Sequence, residues 1–208
     1  MKLYSTVRQE ASAEQIIEKS RFIAYVSPAE SREEAEVFIA SIRKKHRDAT
    51  HNVPAMVLGD KMQIQWGSDD GEPQGTSGAP IVQMLVAQGI TNIVVVVTRY
   101  FGGIKLGTGG LVRAYTSSAK LGLEAAGICD VCERSVLTYA LDYTYLAKLQ
   151  NMADDSLFNI ENLAYTDVVE AELSCVPEKA DELKGLVANL TGGKGVLKSE
   201  ETRIIKVW

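Results

Sequence analysis

Three carboxylates stand within four residues of one another in a segment dense in glycine, residues 67–78, which we call the first glycine-rich segment. They are Asp69, Asp70 and Glu72, and several chemical roles fit such a group. Carboxylates can hold Mg²⁺ together with a phosphate, or serve as general acid and base. They can equally stabilise the positive end of a following helix, or simply occupy a turn. The spacing leaves these alternatives open, and we expect no metal site.

The second glycine-rich segment, residues 99–110, combines glycines with cations. A β-branched run precedes it and a helical pattern follows it, so its backbone N–H groups would stand at a helix N-terminus. Such an end attracts anions, and Arg99 and Lys105 would add positive charge. Known phosphate-binding fingerprints are absent, because the segment lacks Gly-Lys-Ser/Thr and Val112 stands where a dinucleotide motif needs glycine. The alternative is that the glycines serve a tight turn and close packing of a helix on a sheet.

Histidine provides the other candidate for acid–base chemistry, and the chain has two, His46 and His51. His51 begins a strand pattern, where an imidazole can act as a base or a proton donor. A hydrogen-bonded structural role is the alternative. The Gly-x-Ser-x-Gly motif of a serine nucleophile is absent.

The cysteines, Cys129, Cys132 and Cys175, offer little chemistry. The first two have the spacing of half a zinc site or of a redox pair. A zinc site needs two further ligands, and the chain has no second cysteine pair. We interpret all three as reduced thiols.

Composition limits the classes of function. Of 208 residues, 46% are hydrophobic, which is typical of a globular protein. The longest apolar run is too short to cross a bilayer and the N-terminus lacks a secretory signal, so we expect a cytoplasmic protein without membrane contact. Residues 1–134 hold 15 basic and 15 acidic side chains, and residues 135–208 hold 7 and 12, which accounts for the net charge of −5. This balance argues against bulk attraction to nucleic acid but allows a local basic patch.

Periodicity predicts two domains, residues 1–133 and 134–208. In the first we expect a helix capped by Ser31 and Glu34, whose basic end at residues 43–47 either complements the helix C-terminus or binds phosphate. Around it we predict strands at 15–27, 51–58, 62–66 and 92–98, a helix capped by Thr76 or Ser77, and a helix at 109–126. In the second we predict strand 136–142, helix 143–154, strands 157–165 and 168–176, helix 177–190 and strand 195–207. This βαββαβ order is typical of a ferredoxin-like sandwich.

The two glycine-rich segments carry a family resemblance. Residues 69–78 (DDGEPQGTSG) and 99–115 (RYFGGIKLGTGGLVRAY) closely resemble the signature of the YigZ/IMPACT family. Residues 20–23 (SRFI) and 46–51 (HRDATH) are similar to further motifs of that family. The resemblance covers about residues 15–128, and the tail resembles the extra C-terminal domain of the bacterial branch.

The resemblance implies an α+β protein of two folds. The first is an α/β two-layer domain like the second domain of a small-subunit ribosomal protein. The second is ferredoxin-like and similar to the C-terminal domain of elongation factor G. Eukaryotic IMPACT proteins regulate translation by competing for the activator of an amino-acid-starvation kinase, and they carry an N-terminal RWD domain. We expect no RWD domain here, so the resemblance does not extend to regulation of that kinase pathway.

Two functions remain. The first is a non-enzymatic, translation-associated protein that contacts RNA, the ribosome or a partner protein through a cleft between the two glycine-rich segments. Each residue expected to bind offers a positive charge, a stacking ring, a hydroxyl or a backbone N–H group. These residues are Arg99, Tyr100, Gly102, Gly103, Lys105, Gly107, Thr108, Gly109, Gly110, Arg113 and Thr76. The second, ranked below it, is an enzyme acting on a small phosphorylated or anionic substrate with His51, Asp69, Asp70 or Glu72. We expect no cofactor, and the sequence allows a monomer or a dimer.

Overall fold

A computed structural model describes residues 1–153 and 157–207 of the chain. It divides into two compact units: a first unit of Tyr4–Asp130 with the chain end from Lys206, and a second unit of Val131–Ile205 with Met1–Leu3. Both mix helices with antiparallel strands, which confirms the predicted α+β class. No helix among the described residues has the length and apolar character needed to span a membrane.

The first unit is built on a five-stranded sheet with three helices. The chain starts with β1 (Lys2–Val7), which belongs to the other sheet. The strands and helices of the first unit are β2 (Ala11–Ile17), β3 (Ser20–Pro28), α1 (Arg32–Lys45), β4 (His51–Leu58), β5 (Ile64–Gly67), α2 (Gly78–Ala87), β6 (Ile93–Tyr100) and α3 (Gly107–Ala126). The sheet order is β2-β3-β6-β4-β5, and each of its neighbouring strand pairs is antiparallel.

Helices cover both faces of this sheet, whereas the family resemblance implies a domain of two layers. On one face Val95 and Val97 of β6 pack in a core with residues of α2 and α3, while on the other Val94 and Val96 pack with Ile39 of α1. Alternate residues of a strand face opposite sides of its sheet. A strand that is apolar at every position therefore requires a covering layer on each face.

One predicted strand, 15–27, proved to be a hairpin. The chain runs out as β2, turns at Glu18 and Lys19, and returns antiparallel as β3, with Ile17 paired to Ser20. Both turn residues have positive φ, 45° and 64°. Glycine and asparagine are the usual residues there, so this turn gives no signal in the sequence. The strand β1 was likewise not predicted.

The second unit has the predicted βαββαβ order: β7 (Ile128–Leu141), α4 (Leu146–Ala153), β8 (Asn159–Tyr165), β9 (Val169–Cys175), α5 (Ala180–Thr191) and β10 (Val196–Val207). β9 pairs with both β7 and β8, while β10 and β1 pair with β7. The resulting order β10-β7-β9-β8 is that of a ferredoxin-like sheet, as predicted. Short 3-10 turns precede both helices. The predicted end of the first helix, residue 154, lies outside the described residues.

Candidate functional site

The two glycine-rich segments meet in one cavity of about 440 Å³ in the first unit, which we call the site cavity. Its walls come from both segments, from the start of β4 and from the first turns of α3: Thr50, His51, Glu72, Pro73, Arg99, Phe101, Lys105, Leu106, Gly107, Thr108 and Leu111. Of the predicted residues, Arg99, Lys105, Gly107, Thr108, His51 and Glu72 are therefore brought together.

The sheet itself positions two of these residues. His51 begins β4 and lies opposite Arg99 near the end of β6 in the antiparallel ladder. Past β6, the second segment crosses the β2–β3 turn so closely that a Cβ on Gly102 would stand 2.1 Å from the carbonyl group of Lys19. The backbone N–H of Gly102 also donates to the hydroxyl of Ser20 at 3.1 Å. Gly102 therefore serves the close crossing of a loop and a strand turn, which differs from the helix–sheet packing considered as the alternative role of these glycines.

Glu72 is the centre of a buried hydrogen-bond network. Its Oε1 accepts a 2.7 Å bond from Arg99 Nη1 and a second 2.7 Å bond from the hydroxyl of Tyr115 on α3. Burial, followed by the hydrogen bond to this carboxylate, strongly raises the pKa of Tyr115. The phenol therefore remains a donor at physiological pH. Tyr115 is a site residue that sequence reasoning missed, because its helical spacing marks it only as a core position.

Arg99 is buried rather than free. Only 5% of its side chain is exposed, and its guanidinium lies 5.3 Å from the ring centroids of both Phe22 and Phe101. Nη2 contacts the Ser20 hydroxyl at 3.4 Å, while the buried Nε has no hydrogen-bond partner within residues 1–153 and 157–207. The positive charge of Arg99, which the sequence predicts to contact a ligand directly, is thus balanced by Glu72. The exposed Lys105 supplies positive charge at the cavity surface.

His51 presents one ring nitrogen toward Glu72. Its Nδ1 lies 2.8 Å from the carbonyl oxygen of Asp70, which can only accept, so Nδ1 carries the proton. In the neutral ring Nε2 is then an acceptor, and it lies 3.7 Å from Oε1 of Glu72. Of the predicted acid–base groups, His51 and Glu72 share the cavity.

Asp69 instead serves the N-terminus of α2. Its carboxylate accepts hydrogen bonds from the backbone N–H groups of Gly75, Ser77 and Gly78 and from the Ser77 hydroxyl, at 2.7–3.1 Å. Burial alone would raise the pKa of Asp69, but these hydrogen bonds outweigh it and lower the pKa below its usual range. The helix-stabilising alternative therefore describes this residue.

Asp70 ties the first segment to its neighbours. Its carboxylate accepts from the backbone N–H of Asn52 at 2.6 Å and from Arg43 at 3.0 Å. Since Asp69, Asp70 and Glu72 each bond different partners, the three carboxylates do not converge. Among the described residues no group of three His, Cys, Asp or Glu side chains could hold a metal ion.

Helix α3 opens at the site cavity without a side-chain cap. It begins at Gly107, preceded by Leu106, whose side chain makes no capping hydrogen bond. Glycines 103 and 107 have positive φ, 87° and 71°, which lets the chain turn into the helix. The first N–H groups of a helix lack intrahelical partners and carry partial positive charge. Gly107, Thr108 and Gly109, the first residues of this helix, are exposed beside Lys105.

The remaining predicted residues lie elsewhere. The Tyr100 hydroxyl lies 2.9 Å from Nδ1 of His46 and donates to Asp48 at 3.3 Å. Thr76 is buried and donates to the carbonyl of Pro73. Gly110 and Arg113 line a neighbouring hollow with Lys105, and Gly109 lies near the Arg113 guanidinium. The three cysteines are free and buried, as expected for reduced thiols.

Comparisons with known proteins agree with this organisation. The Impact N-terminal domain model matches residues 18–123, and a domain of unknown function, DUF1949, matches residues 140–194. The chain is 39% identical to the IMPACT family member YvyE of Bacillus subtilis, over 95% of this chain and 91% of that protein. It is 34% identical to the IMPACT family member YigZ of Escherichia coli, over 85% of this chain and 88% of that protein. A crystal structure of a hypothetical protein, 32% identical, matches with a TM-score of 0.59 over 95% of this chain and 97% of that one.

Proposed function

The chain belongs to the IMPACT family, and on that premise we propose that it is a translation-associated binding protein whose site cavity contacts an anionic group of RNA, the ribosome or a partner protein. Two lines support the proposal. The family resemblance links eukaryotic members to the regulation of translation, and the bacterial relatives match this chain through both of its domains. The second line of support is the chemistry of the residues that line the site cavity.

The observation that carries the proposal is the meeting of an uncapped helix start with an exposed lysine in one cavity. Helix N-termini bind phosphate and carboxylate groups through their free N–H groups. Lys105 lies beside the start of α3, and Arg113, also exposed, lines the adjoining hollow with it. The second unit is acidic, so a contact with phosphate groups would concentrate on this surface of the first unit.

Co-sedimentation with ribosomes, measured over a series of salt concentrations, tests this proposal. The informative variant is Lys105→Ala with Arg113→Ala, since both cations are exposed and can be removed without disturbing the core. Arg99→Ala is unsuitable, because it would leave Glu72 buried without its counter-charge. The matched control is Lys61→Ala with Lys120→Ala, two exposed lysines between β4 and β5 and late in α3.

We expect the wild-type chain to co-sediment at low salt and the Lys105/Arg113 variant to bind more weakly. If both cations contact phosphates, the slope of log affinity against log salt should fall by about 2, since each lost contact reduces it by roughly one. The control variant should match the wild type. Failure of the wild-type chain to co-sediment at low salt would count decisively against ribosome contact.

A second candidate function is an enzyme acting on a small anionic substrate. The observation that favours it is the proximity of His51 Nε2 to the buried carboxylate of Glu72, within the cavity that holds the helix start. A histidine placed in this way can accept a proton from a bound substrate. Turnover of phosphorylated metabolites that is lost in His51→Asn, in a variant that still folds, would support the enzyme. Binding without turnover would favour the first proposal.

A further inference from the structure

One wall of the site cavity offers hydrogen-bond donors. No side chain of the N-cap residue Leu106 caps the start of α3, and Lys105 stands immediately before that helix. The Nε of Arg99, on a side chain that is 95% buried and lines the cavity, has no hydrogen-bond partner among the described residues. Folded proteins leave very few buried donors unsatisfied, so an orphan of this kind in a cavity wall favours a bound acceptor. This wall suits a phosphate group.

Another wall offers acceptors. In the neutral ring His51 Nε2 is an acceptor, because Nδ1 donates to a backbone carbonyl. It faces Glu72, whose Oε1 already receives Arg99 and Tyr115 while its second oxygen accepts no hydrogen bond from the described residues. These two acceptors lie 3.7 Å apart. Two ligand hydroxyls satisfy them, one donating to the carboxylate and one to the imidazole, and carboxylates that bind nucleotides commonly hold ribose hydroxyls.

The third wall is apolar and includes a ring. Phe101 is 46% exposed, which is unusual for a phenylalanine, and it lies at the cavity with Leu106, Leu111 and Pro73. Flat nucleobases stack on such rings regardless of their sequence. The volume of about 440 Å³ lies within the usual range of small-ligand sites.

We propose that the site cavity binds one nucleotide, with its phosphate at Lys105 and the start of α3, its ribose hydroxyls at Glu72 and His51, and its base on Phe101. The nucleotide is either a free mononucleotide or the terminal nucleotide of an RNA, since the two share this chemistry. The inference deepens the proposed function, because it assigns a ligand class to the same cavity.

The test is a titration of the full-length, ¹⁵N-labelled chain followed by NMR, with AMP, CMP, GMP and UMP as separate probes. We expect at least one of them to shift the amide signals of residues 105–111 at concentrations below about 10 mM. Adenosine, which lacks the phosphate, should bind at least about tenfold more weakly than AMP, the factor that one charge-assisted contact supplies. A five-nucleotide RNA, with and without a terminal 5′-phosphate, forms the second arm and separates the two sources.

Two variants complete the test. Lys105→Ala should weaken nucleotide binding about tenfold, whereas Lys120→Ala, at an exposed position late in α3, should stay within about twofold of the wild type. Absence of shifts with all four mononucleotides and with both RNAs overturns the inference, as does equal binding of AMP and adenosine. Ribosome co-sedimentation is measured separately. Co-sedimentation without nucleotide binding would support the proposed function and overturn only this inference. Nucleotide binding without co-sedimentation would support this inference and count against ribosome contact.

Discussion

Arg99 near the end of β6 and Glu72 in the first glycine-rich segment form an ion pair, with 2.7 Å between Nη1 and Oε1 and only 5% and 4% of the two side chains exposed. The pair joins a loop to the central strand of the sheet, and Tyr115 joins the same carboxylate to α3. One carboxylate therefore holds together three separate parts of the chain around the site cavity.

Removing the charge of Glu72 should destabilise the first unit. Glu72→Gln keeps the shape of the side chain but leaves the Arg99 guanidinium buried without its counter-charge, which typically costs about 3–5 kcal/mol. Urea denaturation measures the change in the free energy of unfolding. The matched control is Glu14→Gln, whose partner Arg21 is about half exposed like Glu14 itself. Solvent screens that exposed pair, so its loss should change stability far less than the loss of the buried pair, and equal losses in the two variants would contradict the central role of Glu72.

The capping carboxylate of Asp69 should give the stability of the chain a pH dependence at acidic pH. Its pKa in the folded state lies below the ordinary value of 3.8 because of the N–H and hydroxyl groups around it. A depressed pKa means that the stabilisation is fully present above the unfolded-state pKa and is lost as the pH falls through the folded-state pKa.

The measurement is chemical denaturation of Asp69→Asn and wild type between pH 7 and pH 2.5. We expect the variant to be about 1–2 kcal/mol less stable at neutral pH, since hydrogen bonds to a charged acceptor are stronger than those to an amide. The difference should stay constant down to about pH 5 and shrink below about pH 4. Asp167→Asn, at an exposed position in the second unit, is the control and should show no such change. A difference that persists undiminished at the lowest pH would exclude the capping explanation.

Gly102 should tolerate no side chain, for a reason that is steric rather than conformational. Its backbone angle is outside the left-handed region, yet a Cβ would stand 2.1 Å from the Lys19 carbonyl group. Gly102→Ala should therefore cost roughly 3 kcal/mol of unfolding free energy, because rigid backbone must move. Gly185 provides the contrast, since it lies inside α5 with no atom within 4 Å of an added Cβ. Gly185→Ala should stabilise by about 0.5–1 kcal/mol, and a similar effect of both substitutions would refute the close crossing.

Local signals were sufficient to predict much of the fold. The N-cap Ser31 accepts from the backbone of Glu34 at 3.2 Å as predicted, and the run from Ile93 to Val97 forms the buried central strand. The βαββαβ order of the second unit was also visible, because alternation and helical spacing follow one another there. These features depend on residues close in the sequence, so periodicity and capping chemistry reveal them.

Features that depend on distant residues gave no such signal. Tyr115 reaches Glu72 across 43 positions, and the spacing did not decide which of the three carboxylates caps the helix that begins at Gly78, a role that Asp69 takes. Arg99 has the sequence context of an exposed cation, yet the crossing of β3, β4 and the two glycine-rich segments buries it. Charge and spacing therefore predicted that the two glycine-rich segments meet. Only the tertiary fold shows which charged side chains are buried in ion pairs and which are exposed at the cavity.

The two adjacent aromatic residues of the second segment should behave differently toward nucleic acid. The sequence predicts Tyr100 as a ring that stacks on a base, but its hydroxyl bonds His46 and Asp48. Phe101 instead lies at the site cavity with 46% of its surface exposed. If the cavity takes a nucleotide, Phe101→Ala should weaken binding by about 1–3 kcal/mol, the range for loss of one base–aromatic stack. Phe101→Tyr, which keeps the ring, should restore most of the affinity, and Tyr100→Phe should leave it unchanged. Isothermal titration with the nucleotide that binds best measures all three, and unchanged affinity in Phe101→Ala would remove the stacking role from Phe101.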